Sequence, residues 1–315
     1  MNTTSLRSRF RGVLLGVAVG DALGAPFEGN AHVSPNSVNL LTTQPHDLRY
    51  TDDTHMTIGM AESLLSRRGF DGAHMAETFA RNFDAEPWRG YGPGPPLVFR
   101  ALRQGVAWDE AGPMLFGGSG SFGNGAAMRV APAALYAFAD LDCVEWLARQ
   151  TARITHAHEL GTDGAAIQAC AIARLVATPV EEELDPHEFL SELILRARSD
   201  AFRFAIERVG SLSPNAHPAI VANALGNGVE AHRSVPAALY WFLSSRKSLP
   251  NAVCGAIAMG GDTDTIASMA GALSGAWLGE EAIHESWQTK LENAEQLRRF
   301  ADGLLQLVDD GEPSD

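Results

Sequence analysis

Two short runs in this 315-residue chain concentrate chemistry: Tyr50-Thr-Asp-Asp-Thr54 and Met259-Gly-Gly-Asp-Thr-Asp-Thr-Ile266. Each puts two carboxylates and two hydroxyls at the mouth of an apolar, helix-like stretch. Either run alone is accounted for as a helix cap, because Thr and Asp are good N-caps and acids favour the positive end of a helix. Their joint occurrence is not, and nothing else in the chain has the same grammar, so they are read as two halves of one site. Four carboxylates converging within about 4 Å would repel by roughly 4 kcal/mol per pair at an effective dielectric of about 20. One or two divalent cations would supply the missing charge, and oxygen-only ligands select Mg²⁺, Mn²⁺ or Ca²⁺ over zinc. The second run begins like an EF-hand loop, but Ile266 takes the fifth position and the twelfth is not Glu.

Two further groups could act on a ligand beside such a centre. Ser119-Gly-Ser-Phe-Gly-Asn-Gly125 enters a helix-like stretch at Ala126, and free backbone N–H groups at a helix start bind phosphate. The alternative is a plain flexible turn: Gly118, Gly120 and Gly123 spell GxGxxG, but no strand precedes them. Phe116 and Phe122 either stack on a base or fill core. His156 and His158, two apart, face away from each other on a helix and do not form a metal pair; one lies near a ligand or caps a helix.

The elements that must position these groups are helices. Arg11 to Gly24 carries glycines at 12, 16, 20 and 24, a stripe repeated at Gly271, Gly275 and Gly279. Such stripes fit central helices whose backbones pack closely, since each glycine otherwise costs about 1 kcal/mol against Ala. Further helices are expected at 55–68, 72–83, 95–104, 125–138, 142–153, 161–177, from Asp185 to about Asp200, near 217–227, 234–245, 250–259, 265–278 and 285–308. The class is all-α. Gly29 to Arg49 reads as a long loop with a faint strand signal at Ser37 to Thr43. A loop of that length in a compact domain is functional or mobile, which puts Glu28 on a candidate lid.

The net charge of −14 argues against a direct nucleic-acid binder, which needs a basic face. Cys143, Cys170 and Cys254 stand singly and are read as buried thiols in a reducing compartment. The lack of a signal-like segment in residues 1–10, with Asp262 and Asp264 interrupting the longest apolar stretch, predicts a cytoplasmic protein without a membrane span. No feature demands a partner, so a monomer is expected.

Ordered matches run along nearly the whole chain: Arg9-Phe-Arg-Gly12, Gly20-Asp21 with Glu28, Tyr50 to Thr54, Arg89-Gly-Tyr-Gly92, Gly120 to Gly125 with Met128-Arg-Val130, Thr155-His156, Gly226-Asn-Gly228, Ser234-Val-Pro236, Gly260 to Thr265 and Glu285-Ser-Trp-Gln288. In these residues the chain resembles the ADP-ribosylglycohydrolase family, and within it the branch that removes ADP-ribose from serine (ADP-ribosylhydrolase 3-like). The resemblance implies an all-α fold, a single compact orthogonal helical bundle with a dinuclear metal centre, over residues 1–308, followed by an acidic disordered tail at 309–315. It implies two Mg²⁺, with Mn²⁺ or Ca²⁺ as substitutes, held by Thr51, Asp52, Asp53, Asp262, Asp264 and Thr265. Glu28, on a mobile flap, would approach the metals, and Glu28 and Asp53 would be the catalytic carboxylates. ADP-ribose would touch Asp52, Gly92, Ser119, Gly120, Ser121, Gly123, Asn124, Gly125, His156 and Val229, with adenine between Phe116 and Phe122. The animal serine-specific enzymes are expected to carry Lys and Tyr where this chain has Ser119 and Phe122, which bears on affinity more than on chemistry, because the ring face is retained.

The expected reaction is metal-dependent hydrolysis at the anomeric carbon, releasing ADP-ribose from modified serine; whether poly(ADP-ribose) or O-acetyl-ADP-ribose is also hydrolysed is not fixed by the sequence. The expected partners are ADP-ribose and ADP-ribosylated proteins. The rival readings are an arginine-specific ADP-ribosylhydrolase, a dimetal phosphohydrolase that cuts the diphosphate, and a crystallin-like structural protein.

Overall fold

The computed structural model describes residues 3–43, 47–179 and 182–311, and its architecture follows from the two glycine stripes. Helix α1 (Thr3–Gly24) is followed by α2 (Pro35–Thr43), α3 (Asp52–Arg67), α4 (Gly72–Ala85) and α5 (Gly94–Arg103). Short turns α6 (Trp108–Ala111) and α7 (Leu115–Gly118) lead to α8 (Ala131–Tyr136), α9 (Leu141–Arg153) and α10 (Glu159–Ala177). The second half holds α11 (Pro186–Arg196), α12 (Asp200–Ser211), α13 (Pro218–Leu225), α14 (Ala231–Ser244), α15 (Leu249–Ala258), α16 (Thr263–Leu278), α17 (Glu285–Lys290) and α18 (Ala294–Gly311). The fold is all-α: among the described residues β-pairing is confined to isolated bridges, Leu48 with Leu291 and Gly123 with Glu230.

Helices α1 and α16 form the central pair and run antiparallel, with the stripes face to face. A Cβ at Gly12 would sit 2.6 Å from the Gly275 carbonyl oxygen, and Gly16 and Gly271 exclude each other's side chains in the same way. No larger residue fits without separating the backbones. Both helices are buried along most of their length, surrounded by α3, α8, α10, α14, α15 and α18. The segment Leu6–Phe27 is long and apolar enough to cross a membrane by length and composition, but 78% of its apolar window is buried inside this fold. The pairing also delivers the site, because the stripe ends at Gly24, whose Cβ position abuts the backbone of Thr263 and Asp264.

Several expected boundaries move, each for a tertiary reason. Ser37 to Thr43 is helical in α2, with the Thr42 and Thr43 hydroxyls bonded back to Val38 and Asn39 carbonyls. The expected 125–138 helix is a 3₁₀ turn at Asn124–Ala126 followed by α8, whose start accommodates Pro132. The helix expected to run to Asp200 stops at Arg196, because the buried Asp163 carboxylate takes the Arg198 and Ser199 N–H groups and a new helix starts from Ser199. The 285–308 helix is interrupted between α17 and α18, where Leu291 pairs with Leu48 and Asn293 adopts φ 56°. Helix α18 continues to Gly311, so residues 309–311 of the expected acidic tail are helical; residues 312–315 lie outside the described residues. Cys170 is buried, Cys254 half-buried and Cys143 exposed, so one of the three thiols departs from the buried expectation.

Candidate active site

Asp21, on the last turn of α1, is fully buried and organises the start of α3. Its carboxylate accepts from the Thr51 N–H (2.9 Å) and hydroxyl (2.8 Å) and from the Thr54 N–H (3.0 Å) and hydroxyl (2.6 Å). Thr51 occupies the N-cap position yet makes no side-chain cap bond. The capping acceptor comes instead from a different helix, which fixes the angle at which Asp52 and Asp53 leave α3. At α16 the Thr263 hydroxyl donates to the Gly24 carbonyl (2.9 Å), so this helix start is tied to the same end of α1. The chain then passes through a 3₁₀ turn, Ala25–Phe27, and emerges at Glu28 between the two.

The two acid runs meet there. Glu28, Asp262 and Asp264 offer carboxylate oxygens that all lie within 4.8 Å of one another. Thr51, Asp52, Asp53 and Thr265 line the same cavity of about 400 Å³. Burial, with Asp21 close by, pushes Asp52 up to about 8; burial and Asp262 push Asp264 up to about 9. Burial and Asp21 hold Asp53 well above the carboxylate range, burial raises Asp262, and partial burial with Asp262 raises Glu28. Among the described residues neither Lys nor Arg lines the cavity, and Asp53 Oδ2 is buried without a hydrogen-bond partner. An orphaned carboxylate oxygen among mutually repelling carboxylates, all hard oxygen donors, fits a divalent cation of the Mg²⁺ class.

The glycine loop forms the opposite wall. It is stitched to the chain before α14 by the Gly123–Glu230 bridge, by the Asn124 N–H to the Val229 carbonyl (2.8 Å) and by the Ala231 N–H to the Phe122 carbonyl (3.0 Å), which brings Val229 to the loop. Asn124 joins the wall to the acid cluster, its side-chain amide donating to Asp262 Oδ2 (2.5 Å) and Ser234 Oγ (3.1 Å). His156 sits beneath the loop, Nδ1 paired with the Thr155 hydroxyl (2.7 Å), and a Cβ at Gly125 would strike its ring. Burial and the Arg129 charge lower His156 to about 3, so its imidazole is neutral at physiological pH. Phe116 and Phe122 are 61% and 48% exposed at the cavity mouth, free to offer ring faces.

Of the residues expected at the site, all but two line this cavity. The exceptions are Ser119, whose hydroxyl donates to the Phe116 carbonyl (2.8 Å) and which faces a separate cavity, and Gly120, which is buried at φ 72° against the backbone of 157 and 158. His158 is a capping histidine, accepting from the Leu160 N–H (3.1 Å). The expected flap begins fastened: the Gly29 N–H donates to the Gly261 carbonyl and the Gly261 N–H to the Asn30 carbonyl, both 2.8 Å.

Two residues given no role from the sequence matter here. Asp21 positions α3, and Arg129 is a fully buried cation with no carboxylate in ion-pair range among the described residues. Arg129 donates to the Gly125 (2.9 Å) and Thr151 (3.2 Å) carbonyls and lies 5.0 Å from the Phe79 ring centroid; burial lowers it to about 9. The available signal was a lone charge inside each apolar run, Val17 to Leu23 and Ala126 to Ala131.

The profile of the ADP-ribosylglycohydrolase family matches residues 2–313. The chain belongs to that family. It is 36% identical to ADP-ribosylhydrolase ARH3 of Mus musculus, over 94% of this chain and 91% of that protein, and 37% identical to ADP-ribosylhydrolase ARH3 of Danio rerio, over 95% and 90%. It is 28% identical to the ADP-ribosyl-(dinitrogen reductase) glycohydrolase of Rhodospirillum rubrum, over 98% and 99%. Among solved structures, an ADP-ribosylglycohydrolase-related protein complex matches with a TM-score of 0.77 at 27% identity, over 97% of this chain and 99% of that one. This member of the family is therefore an enzyme, an ADP-ribosyl glycohydrolase.

Proposed function

We propose that the enzyme hydrolyses the bond between the anomeric carbon of ADP-ribose and a modified serine, with two Mg²⁺ held by Thr51, Asp52, Asp53, Asp262, Asp264 and Thr265. The observation that carries this reading is the meeting of Glu28 with Asp262 and Asp264 at a cavity whose mouth is flanked by Phe116 and Phe122. Bound divalent ions would supply positive charge to orient the ribose hydroxyls and an attacking water. Glu28, its carboxyl raised by burial and Asp262, holds the proton exchanged between water and leaving oxygen. Phe116 and Phe122 grip adenine, and Asn124 orients Asp262. Water attacks the anomeric carbon, the carbon–oxygen bond to serine breaks, and the serine hydroxyl leaves with a proton.

Preference for serine over arginine is supported by the Glu28 position, by the Gly120 to Gly125 sequence, and by the higher identity to the ADP-ribosylhydrolase ARH3 proteins than to the dinitrogen reductase enzyme. The test is release of free ADP-ribose from a serine-ADP-ribosylated peptide with Mg²⁺, beside an EDTA control and an arginine-linked substrate. Release from serine alone, abolished by EDTA, is expected. Release from arginine alone would overturn the substrate, and AMP as product would move the cut to the diphosphate.

A further inference from the structure

The glycine loop faces two spaces. Phe116 and Ser121 line the catalytic cavity, whereas Gly118 and Ser119 between them line a second cavity of about 720 Å³. The division repeats at neighbouring residues 156 and 157: His156 lines the first space and Ala157 the second. The glycine loop and the 156–157 step are thus a wall common to the two cavities, with Phe116 on the catalytic side of it.

The far side of the second cavity is built mainly by α9. Trp146, Arg149 and Arg153 recur at helical spacing on one face, and Arg198 joins them from the turn before α12. Trp146 is 54% exposed, its ring braced edge-on by Phe70 at 5.9 Å between centroids. The acids that line the space are already engaged: Glu145 by Arg149, Arg196 and Arg198, and Asp142 by Arg196. Arg149 is spent on Glu145, Asp163 and the Arg196 carbonyl. Arg153 is different, being exposed and without a polar partner among the described residues. Arg198 is held to its acid by an ion pair that is 64% exposed on the arginine side, which costs little to exchange.

In a chain of net charge −14, this pocket therefore presents one uncommitted guanidinium, a second within easy release, and an open indole face. Arginine with an exposed aromatic ring is the pairing that holds a phosphate and stacks a base, and the volume suits a nucleotide-sized group. We propose that the second cavity is a nucleotide subsite that takes a further ADP-ribose unit, joined through the adenosine ribose of the unit held in the catalytic cavity. The proposal rests on the functional reading above, which puts adenine at Phe116 and Phe122, beside the shared wall. An acidic peptide would engage the arginines but would have no use for the indole face, which is why a nucleotide is favoured.

Binding and turnover are measured separately so that the two readings fail separately. Titration calorimetry of the Mg²⁺-loaded protein compares ADP-ribose with the terminal-unit dimer of ADP-ribose, in wild type, Arg153→Glu and Trp146→Leu; kinetics compare serine peptides carrying one unit with peptides carrying an extended chain. The dimer should bind wild type about tenfold more tightly than the monomer, and either substitution should erase that difference while leaving the affinity for ADP-ribose and the kcat and KM for the one-unit peptide within twofold. Equal affinity of wild type for monomer and dimer, or a dimer advantage that survives both substitutions, overturns the subsite. Loss of one-unit peptide binding in Arg153→Glu would mean that the cavity reads the acceptor peptide and also overturns it. If no substrate is turned over at all, the functional reading falls while the calorimetric comparison still decides the subsite.

Discussion

The starts of α3 and α16 carry nearly the same residues and are held in different ways. At α16, Asp262 is positioned by Asn124 and by its own N–H on the Asn227 carbonyl, and Thr263 ties the turn to Gly24. At α3 the Thr51 and Thr54 N–H groups both rest on the single carboxylate of Asp21, and among the described residues Asp53 Oδ2 has no partner. Both halves carry carboxylates raised by burial and by one another, but the α16 half is positioned by several groups before any ligand arrives, whereas the α3 half leaves a carboxylate oxygen unpartnered. A polar group buried without a partner costs stability, so the α3 half is the part that a cation would stabilise most.

The largest expected effect strikes the chemistry and leaves this asymmetry intact. Glu28→Ala should lower kcat by about 10²- to 10⁴-fold with ADP-ribose affinity retained, since it removes a proton-transfer group from outside both helix starts. A rapidly turning over Glu28→Ala enzyme would remove the residue from the mechanism. Asp21→Asn sharpens the contrast next: it places an NH₂ group against the Thr51 and Thr54 donors, so it should destabilise the fold by about 2 kcal/mol and weaken Mg²⁺ binding by about 10- to 100-fold, measured by urea unfolding and metal titration. Unchanged metal affinity in a folded Asp21→Asn protein would break the claim that α3 depends on this one acceptor.

The pH dependence of the metal-free protein tests the stored repulsion. Asp52 and Asp264 ionise at 3.8 when unfolded but are raised to about 8 and about 9 in the fold by burial and by Asp21 and Asp262 respectively. Between those values the folded state keeps protons that the unfolded chain releases, so the stability contributed is full below 3.8 and is lost as pH rises toward 9. In EDTA, Tm should fall by several degrees from pH 5 to pH 8.5, and Mg²⁺ should restore it at the higher pH. A Tm that is flat with pH and indifferent to Mg²⁺ would refute the cation site. The smallest effect separates the two faces of the glycine loop: Ser119→Ala should leave KM within about twofold, while Asn124→Ala, which frees Asp262, should raise it about tenfold. Equal sensitivity of the two positions would place Ser119 back in the catalytic cavity.

Much of this was legible in sequence where the signal was local. Glycine at every fourth residue announced two closely packed central helices because close backbone contact excludes a Cβ, and the paired Thr/Asp runs announced a shared site because two such excesses of charge have no separate local use. Helix α12 was missed because the break before it is made by the Asp163 carboxylate, 36 residues upstream of Ser199. Arg129 was passed over because its role comes from burial, which periodicity alone does not assign to an arginine.

By itself, then, the sequence determined the helical class, the two closely packed central helices and the residue types that gather at the cavity, because periodicity, glycine spacing and clustered carboxylates act over a few neighbouring residues. Tertiary structure alone decided that Asp21 caps a helix not its own, that Ser119 turns away from the cavity its neighbours line, and that the two acid runs are held unequally. Those outcomes depend on which groups meet in space, and partners such as Asp21 with Thr51, 30 residues apart, or Gly24 with Thr263, 239 apart, leave no pattern in the order of the amino acids.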